Sequence, residues 1–396
     1  MSSPPVTDDW RQMKHRSHDM RVLKAVLASI MFQGFLLPAA QASDWSARFF
    51  DTEDELFDVS DILSQGGFIP VPVIITEPAV EGGLGIAGQF IGSSDTPGAA
   101  PGRTILGGGY TGNRSWAGGL LQQGSLADGQ LLYRAGLGLA NLTLPTFPFG
   151  GGTEVNYDNE MRFAFGNLRY RIPDTPLSLG PRFIYRSSNV SVESQGPLAE
   201  QVNTVVARVT GERHYAALGL SLNYDSRNNP FTPTQGMNAV LKHDIYSAAL
   251  GSAKDFTELQ LNIQAFQTMS EEWSIGAKLS IDSVSKGAPF FMSPGVDLRG
   301  VQYGRYQGDT ALSAEAELRH QFTPRWAGVV FGGYGQTFAD NSRLYEARND
   351  IWTYGVGIRY RIARRYGIDF GVDVARGPES TAFYIQFGHA WARTMD

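Results

Sequence analysis

The sequence predicts an all-β fold: a transmembrane antiparallel β-barrel of about sixteen strands, the even count that single-chain bacterial barrels show. Three observations carry this. The chain has 396 residues with 46 Gly, 12% aromatic and only 18% charged residues, a glycine share well above the usual level of about 7%. Short segments alternate apolar and polar residues over most of its length, as half-buried strands do. Finally, the links between those segments are long and short in turn.

The C-terminal segments show the alternation most clearly. Trp352, Tyr354, Val356, Ile358, Tyr360 and Ile362 share one face, and Gly355, Gly357, Arg359 and Arg361 share the other. After the turn at 363–365, Tyr366, Ile368, Phe370, Val372 and Val374 oppose Gly367, Asp369, Gly371 and Asp373. The closing segment sets Phe383, Ile385, Phe387 and Trp391 against Tyr384, Gln386, Gly388 and Ala390, and places His389 and His320 on outward parity. A soluble sandwich would carry Lys and Glu on its polar face. Aromatic-ended apolar faces opposite glycines and charges of both signs fit a lipid face around a polar lumen. A one-residue slip would push Arg359 or Asp373 into lipid, at about 2–4 kcal/mol for a midplane Arg.

The chain opens with an export segment. Met20-Arg21-Val22-Leu23-Lys24 is a basic start, residues 25–39 are mostly apolar, and Ala40-Gln41-Ala42 reads as a cleavage site, the three parts of a signal peptide. The apolar run is shorter than the roughly 20 residues a spanning helix needs. Met20 is the expected initiator, so 1–42 is assigned to export and cleavage leaves 396 − 42 = 354 residues. Residues 43–68 form an acidic periplasmic lead-in, in which Asp51, Glu53, Asp54, Glu55, Asp58 and Asp61 crowd together and Leu56, Val59, Ile62 and Leu63 suit a short helical face. Its expected state is solvated. The barrel is expected over 69–391, with a tail at 392–396.

Strand starts are expected near Ile69, Gly83, Thr104, Leu131, Glu154, Tyr215, Met237, Thr257, Ser274, Ala311 and Trp326, besides those above. With both termini periplasmic, the long links 190–213, 287–308 and 339–350 face outward, and the short ones 172–177, 226–236, 323–325 and 363–365 face inward, the asymmetry this barrel class shows. The first strand carries Pro70 and Pro72, two residues apart, so both missing N–H donors fall on the same side. That side is either the closing seam with the last strand or an edge below the membrane.

The formal charge of −6 argues against nucleic acid as a partner. The chain has no Cys, which leaves no disulfide framework, lipid-anchored cysteine or thiolate chemistry. No metal-ligand spacing such as H-E-x-x-H occurs among His214, His243, His320 and His389, nor any G-x-S-x-G elbow. Gly107-Gly108-Gly109 and Gly150-Gly151-Gly152 lack the strand-to-helix setting of a phosphate loop. No enzyme activity, cofactor or metal is expected.

One long link stands apart. It contains Asp297-Leu298-Arg299-Gly300-Val301-Gln302-Tyr303 and runs on through Gly304-Arg305-Tyr306-Gln307-Gly308-Asp309, too charged and glycine-rich for a strand, and is expected to fold back into the lumen. This link, followed by Ala314-Glu315-Ala316-Glu317-Leu318-Arg319, the turn Tyr224-Asp225-Ser226-Arg227-Asn228-Asn229-Pro230 and the closing pair ending at Trp391 together resemble the BamA/TamA-type outer-membrane assembly barrels, the bacterial surface antigen family. The resemblance covers about the C-terminal half of the mature chain and implies a monomeric barrel among outer-membrane lipids that helps client outer-membrane or secreted proteins, or lipids, into or across the membrane. It also implies that Arg299, with Asp297, Leu298, Gly300 and Tyr303 around it, is held by lumen carboxylates. Asp373 is the first candidate partner and Glu317 the second, followed by Glu315 and Asp369; a guanidinium in a polar lumen calls for such a partner on physical grounds as well. Two departures follow: the strand 331–335 reads Phe-Gly-Gly-Tyr-Gly where many members carry an aspartate, and the chain has no room for POTRA modules. A passive channel or structural barrel, its pore merely narrowed by the loop, is the alternative.

Overall fold

A computed structural model describes residues 49–64, 67–91, 102–148, 154–192, 211–340 and 344–391. The export segment, residues 193–210 of the link 190–213, Gly150-Gly151-Gly152 and the tail 392–396 lie outside them. Sixteen strands form one antiparallel sheet in strict chain order: β1 (Gly67–Ile75), β2 (Gly83–Ile91), β3 (Arg103–Thr111), β4 (Trp116–Leu126), β5 (Leu131–Thr146), β6 (Val155–Arg171), β7 (Leu177–Val192), β8 (Gly211–Asp225), β9 (Gly236–Tyr246), β10 (Phe256–Thr268), β11 (Trp273–Val284), β12 (Thr310–Gln321), β13 (Trp326–Phe338), β14 (Arg348–Ala363), β15 (Ile368–Arg376) and β16 (Thr381–Phe387). The result is a nearly closed barrel, with no β1–β16 backbone pairing among the described residues.

Burial is inverted relative to a water-soluble protein. Trp352, Tyr354 and Val356 on β14 are 65%, 66% and 58% exposed, while Arg359 is 2% and Asp369 and Asp373 are 0% exposed. Apolar side chains outside and charges inside make sense only if the outer solvent is lipid. Backbone groups at that depth must be paired, and neighbouring strands do this in register, Gly357 opposite Asp373 and Arg361 opposite Asp369. Strands β5, β6 and β7 have 16, 17 and 16 residues, more than the 9–11 or so that span the bilayer, so they project beyond it.

Three expectations are corrected. The closing strand stops at Phe387; Gly388, with φ of +80°, turns the chain inward, so His389 and Trp391 enter the lumen instead of facing lipid. The lumen is not polar throughout: Val73, Ile75, Ala87, Leu142 and Phe163 border a cavity of about 480 Å³. The lead-in is not wholly solvated either, because Asp58 and Ser60 are each 4% exposed.

That burial has a specific cause. Asp58 Oδ2 meets Arg325 Nη1 at 2.6 Å and accepts the Arg364 N–H at 3.0 Å. Val59 N–H donates to the Ile362 carbonyl at 2.7 Å, and Arg365 N–H to Ser60 Oγ at 3.2 Å. The one-turn helix Ser60–Ser64 is thereby tied to the β12–β13 and β14–β15 turns. Residues 49–57 form a separate small unit, in which Phe50 bridges to Phe57.

Candidate functional site

The β11–β12 link folds into the barrel because two apolar clusters draw it there. Phe290 and Phe291 join Tyr157, Tyr215, Tyr246 and Phe256, with Tyr157–Phe290 and Tyr215–Phe291 ring centroids 5.0 and 5.7 Å apart. Farther along, Val296, Leu298, Val301 and Tyr306 pack with Ile351 of β14. The link narrows into a hairpin-like neck, where Val296 N–H donates to the Tyr306 carbonyl at 3.0 Å and Gly308 N–H to that of Pro294 at 3.0 Å. Space for it comes from the wall: a Cβ on Gly335 would lie 2.5 Å from Val296, and one on Gly333 2.8 Å from Leu298.

At the tip, Arg299 is 9% exposed. Its Nε and Nη2 donate to Glu315 Oε1 at 3.0 and 2.7 Å. Its Nη1 lies 2.8 Å from Glu317 Oε2 and 2.7 Å from Asp373 Oδ2, and its guanidinium carbon sits 3.4 Å above the Phe331 ring centroid. Glu315 and Glu317 are 4% exposed, on the inward parity of β12. Arg359 pairs with Asp373 and stands 3.6 Å from Glu317 Oε2, and Gln386 also donates to Asp373. Two guanidinium groups among three carboxylates balance most of the charge, which such burial requires. The guanidinium fork fixes direction as well as charge, and the Phe331 face adds a cation–π contact.

Of the four candidate carboxylates, the structure brings Asp373, Glu317 and Glu315 to Arg299. Asp369 is a correction: four residues along β15, it pairs with Arg319 and Arg361, the latter directly opposite it in register. Asp297 pairs with Lys278. Phe331, on the strand that departs from the family's aspartate pattern, went unrecognised as a contact; its inward parity was the available signal.

The loop also touches both edges of the sheet. Gly300 N–H donates to Tyr384 Oη of β16 at 2.9 Å, and Tyr303 N–H to Glu77 Oε1, just beyond β1, at 3.1 Å. Arg305 pairs with Glu379 in the β15–β16 link. Pro70 and Pro72 lie on β1, opposite Gly88 and Ile86 of β2. Against the loop the lumen keeps a cavity of about 390 Å³ bordered by Arg186, Lys242, Glu258, Asp282 and Tyr303.

A family model, the Omp85 superfamily domain, matches residues 152–391, more than half of the chain. Among solved structures, the chain is similar to BamA from Haemophilus ducreyi lacking POTRA domains 1–3, with a TM-score of 0.56 and 12% identity over 81% of this chain and 69% of that one. CdiB from Escherichia coli gives 0.55 and 11%, covering 80% of this chain and 61% of that one; CdiB from Acinetobacter baumannii gives 0.55 and 12%, covering 80% and 59%. The chain thus spans about three fifths of either CdiB, and at these identities the likeness is one of fold. No curated protein matches the sequence.

Proposed function

The chain belongs to the Omp85 superfamily, and from that premise we propose that it acts in the outer membrane, reached by way of a cleaved signal peptide, where it helps client proteins or lipids insert into or cross the bilayer. The observation that carries this is the loop anchored at Arg299, which occupies part of the lumen and touches both edges of an incompletely paired sheet. A lumen occupied by a clamped loop is poorly suited to steady diffusion. An unpaired edge, by contrast, presents a row of free N–H and C=O groups that an incoming strand can pair with.

The parts then have distinct tasks. Glu315, Glu317 and Asp373 hold Arg299 and keep the loop inside. The Gly300–Tyr384 and Tyr303–Glu77 bonds tie the loop to β16 and to the end of β1, so that withdrawal of the loop frees both edges together. Pro70 and Pro72 lack N–H donors, which weakens any β1–β16 pairing and leaves this seam the easiest place to part.

The test uses liposomes holding the purified protein and a urea-unfolded outer-membrane barrel as client. The proposal expects faster client folding than in empty liposomes, and a disulfide between a cysteine placed in β1 and one in the client's last strand. Unchanged client folding together with a steady wide pore would overturn it in favour of a passive channel.

A further inference from the structure

We infer that Trp391 and His389, on the segment after β16, are positioning residues for the loop: they hold Glu315 and Glu317 where Arg299 receives them, and so couple the edge strand to the loop's release. The inference rests on the reading of the loop as a lumen plug and deepens it.

The segment's path is fixed by backbone. Gly388 N–H donates to the Asp369 carbonyl at 2.7 Å, and His389 N–H to that of Phe231 at 2.7 Å. At Gly388 φ is +80° and an added Cβ would sit 2.8 Å from the Phe231 carbonyl oxygen, so both conformation and space call for glycine. From there the chain crosses the lumen toward β10–β12. Trp391 is 3% exposed; its carbonyl accepts from Gln264 Nε2 at 3.1 Å, and its ring lies 5.7 Å from that of Phe266 and 4.5 Å from that of His389. Gly276 leaves the room, since a Cβ there would lie 3.1 Å from the indole.

The indole N–H then does something packing alone does not require. Trp391 Nε1 donates to Glu315 Oε1 at 2.6 Å, the same oxygen that receives Arg299 Nε and Nη2. His389 Nε2 stands 3.4 Å from Glu317 Oε1, while Arg299 Nη1 takes the other oxygen. A glutamate has several rotatable bonds and about four acceptor directions on its carboxylate. A second donor from the far side fixes where that carboxylate sits before the guanidinium arrives. Because β16 is an edge strand and the segment continues directly from it, displacing β16 draws Trp391 away from Glu315 and loosens the loop's anchor. Edge opening and loop release become one event.

The test is single-channel recording in planar bilayers with Trp391→Phe, which keeps an aromatic ring in the pocket but removes the N–H along with the pyrrole part of the indole. Expected is a rise of about tenfold in the open-to-closed ratio, equivalent to about 1.4 kcal/mol. In the Arg299→Ala background the same change adds nothing, because the carboxylate it positions no longer has its guanidinium; such non-additivity marks groups acting through one contact. Unaltered gating in Trp391→Phe while Arg299→Ala opens the pore overturns the inference and leaves the plug standing. Additive effects also overturn it, by assigning Trp391 an independent structural role. A silent Arg299→Ala defeats the plug itself. Should Trp391→Phe not assemble, Phe266→Leu, which keeps most of the buried volume but gives up the ring contact with the indole, carries the same gating expectation and the same refutation.

Discussion

Replacing Arg299 by lysine separates charge from geometry at the centre of the lumen. Lysine keeps the positive charge but has one nitrogen, whereas Arg299 uses Nε, Nη1 and Nη2 to reach Glu315, Glu317 and Asp373 on two different strands. Lysine also gives up the planar stack on Phe331. With an ammonium re-forming most of the bonds and losing one hydrogen bond to a charged group, the loop's closed state is weakened by about 1.5–3 kcal/mol, or roughly 10- to 150-fold in released population. Alanine leaves Glu315 and Glu317 without their main partner, Asp373 keeping Arg359, and weakens it by about 3–5 kcal/mol. The chain has no native Cys, so Val301→Cys supplies a single thiol, buried at 7% exposure until the loop withdraws. Its labelling rate by a membrane-impermeant maleimide tracks the released population. The expected order is Ala, then Lys, then native Arg299, with the Lys step at least tenfold. Equal rates in all three would refute the assignment of Arg299 as the anchor, and a native rate in the lysine variant would show that charge alone suffices.

Three further outcomes are expected. Gly357→Ala places a Cβ 1.8 Å from Asp373 Oδ1, so it displaces that carboxylate and raises Val301→Cys labelling as Arg299→Lys does, while Gly332→Ala, whose Cβ meets nothing closer than 3.6 Å, leaves labelling unchanged. Gly388→Ala forces a side chain into a left-handed conformation, costing about 1–2 kcal/mol before the contact with Phe231 is counted, and lowers the thermal unfolding midpoint. For Asp58, burial favours the neutral acid, but hydrogen bonds from Ser60 and Arg325 outweigh it and hold the carboxyl below the usual carboxylate range. A depressed folded-state pKa contributes stability in full above the unfolded value of about 3.9 and loses it as pH falls through the folded value; Asp58→Asn therefore lowers the unfolding midpoint at pH 7 and flattens its decline toward pH 3.

Much of the barrel was legible because strand periodicity is a local rule obeyed along each segment. The alternation at 352–362 and 366–374 identified faces that the structure shows as lipid and lumen, with Arg359 and Asp373 correctly inward. Parity also pointed Glu315 and Glu317 inward before any contact was known. It failed at Gly388, where one residue with positive φ ends the strand and reverses which side His389 and Trp391 take; periodicity carries no notice of where a strand stops. It could not separate Asp369 from Asp373, which share a face and differ only in depth, and depth is set by the register with Arg361. Phe331 was hidden for another reason: an aromatic facing the lumen looks like wall packing until a guanidinium is brought over it by a loop from elsewhere in the sequence. The buried Asp58–Arg325 pair joins residues far apart in sequence, and nothing local distinguishes Asp58 from its acidic neighbours.

The plug is tested most directly by single-channel conductance of the purified protein in a planar bilayer, native sequence against Arg299→Ala. A native channel that is closed most of the time, with a variant that opens and flickers, is the result the clamped loop predicts. A native channel standing wide open and unchanged by the substitution would contradict it, and would make this barrel a plain pore.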